Sequence, residues 1–154
     1  MASTTRLADL HEDLAYASMS VDVVNGNAQS SISMLRNFDY ALVFAAVFPR
    51  VQVRGVGRRI SPAMMELLLE QVRFYLGLER AGLVNIVRGR GDLRPGVNLL
   101  LSLEGADALR DAGDLLLLRE LGVRAVGITW NEDNRFASSC MTSEDRGLTC
   151  EGED

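Results

Sequence analysis

The feature that most constrains this chain is an almost unbroken apolar stretch at residues 38–48, rich in Val, Phe and Ala and closed by Pro49. It is too short for a membrane span, which needs about 20 residues. Its β-branched and aromatic content, ended by proline, predicts a strand buried on both faces, as in a parallel sheet. Helical and strand-like stretches alternate around it. Residues 5–10 form a first apolar run that leads into His11-Glu12-Asp13. Residues 25–33 are polar and predict a loop. Ser61-Pro62 predicts a helix start, with serine as the cap and proline at the first helical position. Met65, Leu68, Leu69, Val72 and Leu76 then follow at helical spacing, and Gly82 suits the end of that helix.

Residues 83–87 predict a weak strand and residues 97–103 a stronger one that runs into Glu104-Gly105. Residues 106–121 predict a helix interrupted at Gly113, where Asp114 can cap a second start, and Gly122 ends it. Residues 123–129 predict the next strand, and a long polar loop follows from Trp130. Strand, helix, strand, helix, with polar residues gathered where strands end, is the order of a parallel barrel that carries its chemistry at the strand C-termini. A complete (β/α)8 barrel takes about 250 residues. The 154 residues here predict one α/β domain, residues 1–154, that is roughly the first half of a TIM barrel.

Hydrophobic residues make up 47% and charged residues 24% of the chain, a globular balance and not a disordered one. A net charge of −5 disfavours nucleic acid as a partner. The arginines within residues 50–59 and 88–94 lack interleaved aromatics and read as solvated loop and helix-end charge. No secretory leader precedes the first strand, and nothing suggests a membrane anchor. Cys140 and Cys150 are too few for a disulfide framework, which predicts reduced thiols and a cytoplasmic setting.

Two positions stand out chemically. His11, the single histidine, and Asp13 lie two apart at a strand end, where side chains of like parity share a face. Together they suit zinc or a similar divalent ion. Alternatively, His11 sits at the surface near a helix start, and Asp13 serves the helix dipole. Glu104, after a run of apolar residues, is a candidate metal ligand, a general base, or a negative charge for the helix that follows.

The segment Asp9-Leu10-His11-Glu12-Asp13 resembles the first-strand Asp-x-His-x-Asp motif of the membrane (renal) dipeptidase family. Ser102-Leu103-Glu104-Gly105-Ala106 resembles that family's bridging-glutamate motif. Leu121-Gly122-Val123-Arg124 with Ile128-Thr129-Trp130-Asn131, and Arg146-Gly147-Leu148-Thr149 with Gly152, resemble its later segments, in the family's order. The resemblance implies a metal-dependent dipeptidase. His11 and Asp13 would hold one zinc ion, and Glu104, the catalytic carboxylate, would bridge it to a second. Trp130 and Asn131 would line the pocket for a dipeptide.

Two departures qualify this expectation. Renal-type members carry a histidine where Trp130 stands, and some microbial relatives share the Trp-Asn form. Trp130 is either a pocket wall or a packing residue at the barrel mouth. The family's later histidines, substrate-gripping arginine and proton-shuttling acid have no counterpart among these residues, so the 154-residue chain is expected to be inactive alone. Two further readings remain. One is a half barrel that associates with itself or another chain through open strand edges. The other is a related metal-dependent barrel acting on lactones or cyclic amides.

Overall fold

The computed structural model describes residues 4–26, 28–53 and 59–153. The remaining positions, including Arg54 and Arg58 of the first arginine cluster and the acidic Asp154, lie outside the described residues. Elements run in the order β1 (Arg6–Glu12), α1 (Leu14–Ser18), α2 (Ile32–Leu35), β2 (Tyr40–Val47), β3 (Gln52–Val53), β4 (Arg59–Ile60), α3 (Met65–Arg80), β5 (Asn85–Ile86), β6 (Gly96–Glu104), α4 (Gly113–Leu121), β7 (Val123–Gly127) and α5 (Cys150–Glu153).

Strands β1, β2, β6 and β7 pair side by side and all run parallel. β2 occupies one edge of β6 along its length, so β5 and β7 share the other edge, β5 near its start and β7 near its end. β3 and β4 form a separate antiparallel pair after β2. This is an α/β fold with a parallel sheet and helices in the crossovers, consistent with the opening half of a TIM barrel.

The alternation along β2 and β6 fixes two faces. Ala41, Val43, Ala45 and Val47 lie in register with Val97, Leu99, Leu101 and Leu103, and all are buried in one core with Leu14, Leu68, Val72 and Leu118 from the helices. Leu42, Phe44, Leu100, Ser102 and Glu104 point to the opposite, half-open face. In a closed barrel that face is the interior.

Several boundaries differ from expectation. α3 begins at Met65, not at Ser61-Pro62. Ser61 is buried and accepts the Val51 N–H instead, so its capping capacity is spent on the β3–β4 segment. Leu69 is exposed, and two polar residues of α3, Gln71 and Tyr75, take buried places in the helix's inner stripe. A helical turn, α2, begins at the end of the expected polar loop and runs beyond it, capped by the Ser31 hydroxyl, which accepts the Met34 N–H. The expected helix at 106–121 splits into a 3-10 turn, Ala106–Ala108, and α4. Asp114 is turned back to accept the Arg110 N–H rather than capping α4's own amides.

Gln71 and Tyr75 hold the end of β2 in place. Gln71 accepts the Phe48 N–H at 2.8 Å and donates to the Phe48 carbonyl at 2.5 Å. The Tyr75 hydroxyl donates to the Ala46 carbonyl at 2.7 Å and accepts the Ala15 N–H at 3.1 Å. That amide belongs to the first turn of α1 and has no partner within its own helix. Burial pushes the Tyr75 phenol above its ordinary range, so it stays neutral and able to donate. One side chain thus joins α1, β2 and α3. Tyr75→Phe leaves a buried amide unpaired, and we expect a loss of about 1–3 kcal/mol in denaturant unfolding, with the fold retained.

Candidate metal centre

β1 does not pair evenly with β2. Asp9 is opposite Val43 and Glu12 is opposite Ala45, so three steps on β1 match two on β2. Val43 and Ala45 both belong to the helix-covered face. Leu10 and His11 therefore both lie on the half-open face, opposite the single position of Phe44. Without the extra residue His11 would share the parity of Asp9 and face the helices, because a one-residue slip reverses every side chain beyond it. The bulge turns His11 toward the face that carries Glu104. Asp9 supports the bend, since its carboxylate accepts the His11 N–H at 2.9 Å.

Asp13 lies beyond β1, at the N-cap position of α1. Strand alternation therefore does not bring it beside His11; the turn into α1 does. Its side chain caps no amide of α1. It faces His11 instead, with Asp13 Oδ1 3.6 Å from His11 Nε2. Glu104 approaches from the end of β6, with Oε2 3.7 Å from the same nitrogen. At the N-cap position Asp13 also places a negative charge where it suits the dipole of α1.

One ligand atom each from His11, Asp13 and Glu104 lies within 4.8 Å of the others. Among the described residues this is the one cluster of histidine, cysteine and carboxylate groups with that spacing. Ligands at the 2.0–2.2 Å of zinc–nitrogen and zinc–oxygen bonds stand about 3.4 Å apart around a tetrahedron. The separations of His11 Nε2 from Asp13 Oδ1 and from Glu104 Oε2, 3.6 and 3.7 Å, are close to that value. The donor set is one imidazole and two carboxylates, which suits a borderline divalent ion. These residues fit a single metal ion. His11 and Asp13 are about half exposed, so the cluster opens to solvent.

Glu104 is the most buried of the three, and its carboxyl titrates above the usual range. Burial is the main cause; His11 opposes it and the Asp13 carboxylate adds to it.

Behind the cluster stands a group that sequence reasoning missed. Arg50, expected in solvent, is buried, and its guanidinium donates to Asp107 Oδ1 at 2.8 Å and to the Ser61 carbonyl at 3.0 Å. A nearby carboxylate and carbonyl make its burial tolerable. Its guanidinium carbon lies 5.6 Å from the centre of the Trp130 ring, and the Phe48 ring packs edge-on against that indole at 5.0 Å. Tyr16 in turn meets Phe48 at 5.6 Å. Gly105 lets this group close on Glu104. Its φ is +84°, and a Cβ there would lie 2.6 Å from Asp107 Oδ2 and 3.4 Å from the Trp130 Cβ. Trp130 is thus a packed residue at the strand ends. Asn131 is exposed and contributes its backbone carbonyl, which accepts the Ser139 hydroxyl at 2.7 Å. The one sequence signal for Arg50 was its place two residues after a buried strand, immediately past Pro49.

Parallel strands, with a histidine and two carboxylates gathered at their carboxyl ends, define an α/β barrel-type protein with a candidate metal centre. The chain belongs to the membrane dipeptidase family (Peptidase family M19), whose sequence profile matches residues 1–154. Among solved structures, the dipeptidase AC, a metallopeptidase of family M19, is similar at a TM-score of 0.66 and 18% identity, over 98% of this chain and 52% of that one. A metallopeptidase from Rhodobacter sphaeroides, solved with a phosphinate mimic of the dipeptide L-Ala-D-Ala, is similar at 0.69 and 17%, over 98% of this chain and 54% of that one. At such identities the likeness is one of fold. The chain spans about half the length of these structures. No curated protein is similar enough to count as a match.

The raised Glu104 value gives a stability prediction with a definite sign. A carboxyl whose folded value lies above its unfolded one stabilises the fold below the unfolded value, and that contribution is lost as pH rises through the folded value. Without metal, the ionised carboxylate at neutral pH opposes folding. We expect Glu104→Gln to be more stable than the parent in chelator-containing buffer at pH 8, with the advantage shrinking at pH 4. Paired denaturation curves check this.

Proposed function

We propose that this chain supplies the first metal-binding part of a metal-dependent hydrolase of dipeptides. The observation that carries the reading is the convergence of His11, Asp13 and Glu104, from the ends of two strands, on one point of the half-open face. The family, and a relative of the same fold solved with a dipeptide mimic, support the substrate class.

In this reading His11, Asp13 and Glu104 would hold zinc. A bound divalent ion lowers the pKa of water and polarises a carbonyl. The residues of this chain do the rest of the local work. Asp9 fixes the main chain under His11. The half-buried setting of Glu104 strengthens its electrostatic grip on a cation. Trp130 offers a dipeptide an aromatic face and one N–H donor, but no acceptor and no proton store. Its neighbour Asn131 would add a side-chain amide from the rim.

His11 is the only histidine of the sequence, so any further imidazole ligand comes from outside residues 1–154. We expect the 154-residue chain to bind one zinc ion, to lose that binding on His11→Ala or Glu104→Gln, and to show no turnover of alanyl or glycyl dipeptides. Zinc competition with a chromophoric chelator and a ninhydrin-type amine assay read the two parts. Zinc affinity untouched by His11→Ala would sink the ligand assignment. A cytoplasmic location belongs to the same proposal. Among the described residues no helix is long and apolar enough to cross a membrane.

A second reading, association between half barrels, has one specific observation behind it. β1 and β7 stand at opposite ends of the sheet, and beside β7 Leu115, Val126 and Ile128 line one exposed apolar hollow. Apolar surface next to a strand with an open edge favours pairing with another chain. We expect the purified 154-residue chain to elute above its monomer mass of 16.9 kDa in size-exclusion chromatography. A clean monomer at micromolar concentration would count against this reading.

A further inference from the structure

We propose that Arg50 is a positioning residue: with Asp107 it clamps the Trp130 indole in place beside Glu104. The proposal deepens the reading of the metal cluster given above, because it concerns the wall next to that cluster.

Three strand ends meet at this clamp. Arg50 follows β2, Asp107 sits in the turn after β6, and Trp130 follows β7. The Arg50 side chain is only 5% exposed, although it carries a full charge. A cation is withdrawn from water at considerable cost, which an apolar residue at the same place would not incur. Its charged partners are Asp107 at 2.8 Å and the exposed Glu132 at 3.9 Å. With Asp107 this close, the guanidinium is already neutralised and is a poor receptor for a substrate carboxylate. Positioning is the role left to it.

The geometry of the pair points the same way. Among the described residues, Arg50 Nε and Asp107 Oδ2 are both buried without a hydrogen-bond partner. One is a donor and the other an acceptor, on two side chains already joined through Nη2 and Oδ1. The pair is therefore one bond short of the two-pronged arrangement that guanidinium and carboxylate favour. Instead, the guanidinium serves three contacts at once: Asp107, the Ser61 carbonyl and the face of Trp130. The indole is gripped on two sides, by this cation and by the edge-on Phe48 ring. Cation–π attraction is strongest for tryptophan and grows when the pair is desolvated, as it is here. On its backbone side, Trp130 rests against the site of Gly105, one residue from Glu104. A shift of the indole would thus be felt next to a proposed metal ligand.

The test uses the fact that Trp130 is the only tryptophan in the chain. Its emission maximum and its quenching by acrylamide report this one ring. In the 154-residue chain, Arg50→Met should red-shift the emission and increase quenching, and Arg50→Lys should restore most of the parent signal. A purely packing role predicts the reverse order, since methionine fills the space better than a hydrated ammonium does. Should Arg50→Met fail to fold because Asp107 is left buried and unpaired, the double variant Arg50→Met/Asp107→Leu removes the charges together and gives the same readout. Unchanged emission in a folded variant, or no restoration by lysine, overturns the proposal. Zinc affinity of the parent chain is measured alongside by chelator competition. If the parent chain binds no zinc, the metal reading fails, while the emission series still decides whether Arg50 holds Trp130.

Discussion

The arrangement at the strand ends depends on one extra residue in β1. A parallel sheet offers a chain two faces, and here the helices take one of them completely. Parity alone would send His11 to that face, into a layer of Val, Leu and Ala where an imidazole finds no partner. The bulge between Asp9 and Glu12 reverses the parity for His11 while keeping the strand paired on either side. A bulge frees a main-chain amide, and the Asp9 carboxylate takes it up. The first acid of the Asp-x-His-x-Asp segment thus has a structural duty distinct from the second, which faces the imidazole nitrogen.

Once His11 faces inward, the electrostatics of the open face follow. Glu104 completes a strand of nine residues whose other positions on that face are Gly96, Asn98, Leu100 and Ser102. Its charge is partly desolvated, and no cap or ion pair with lysine or arginine compensates it among the described residues. Two carboxylates and one imidazole, held near one point, repel or attract one another weakly but do not neutralise one another. A cation does. The cluster is thus a place where the fold accepts a local cost, in keeping with the metal-binding role proposed above.

Much of the fold was legible in the sequence because the signals there are local. The apolar run before Pro49, the alternation of short strands with helical stripes, and the glycines at 82 and 122 are all read within a window of a few residues. The three residues that converge at the strand ends stood out for another reason: a strand end followed by acids is an unusual place to put charge, and the family resemblance gave them an order. What stayed hidden depends on distant partners. Ser61 is a plausible helix cap until Val51 claims its hydroxyl. Gln71 and Tyr75 look like breaks in an apolar stripe until the ends of α1 and β2 arrive with unpaired groups. Arg50 looks solvated because its compensating charge lies 57 residues away, at Asp107. No window on the sequence contains both halves of such a pair. The bulge was hidden too, because counting positions on one strand says nothing about how the neighbouring strand counts.

Trp130 shows how far a departure from a family pattern can be read physically. Replacing a histidine with tryptophan removes an acceptor and a titrating group, and adds a large apolar surface with a single donor. Taken alone, that looks like the loss of a function. Here the indole has company. Phe48 meets its edge, Arg50 covers its face, Asp107 holds Arg50, and Gly105 leaves room for its backbone. Phe48 and Arg50 follow β2, and Gly105 and Asp107 follow β6. A cation stacked over a histidine would oppose its protonation, whereas over tryptophan it is attracted. The indole is therefore held by a whole set of contacts, beside the turn that follows Glu104.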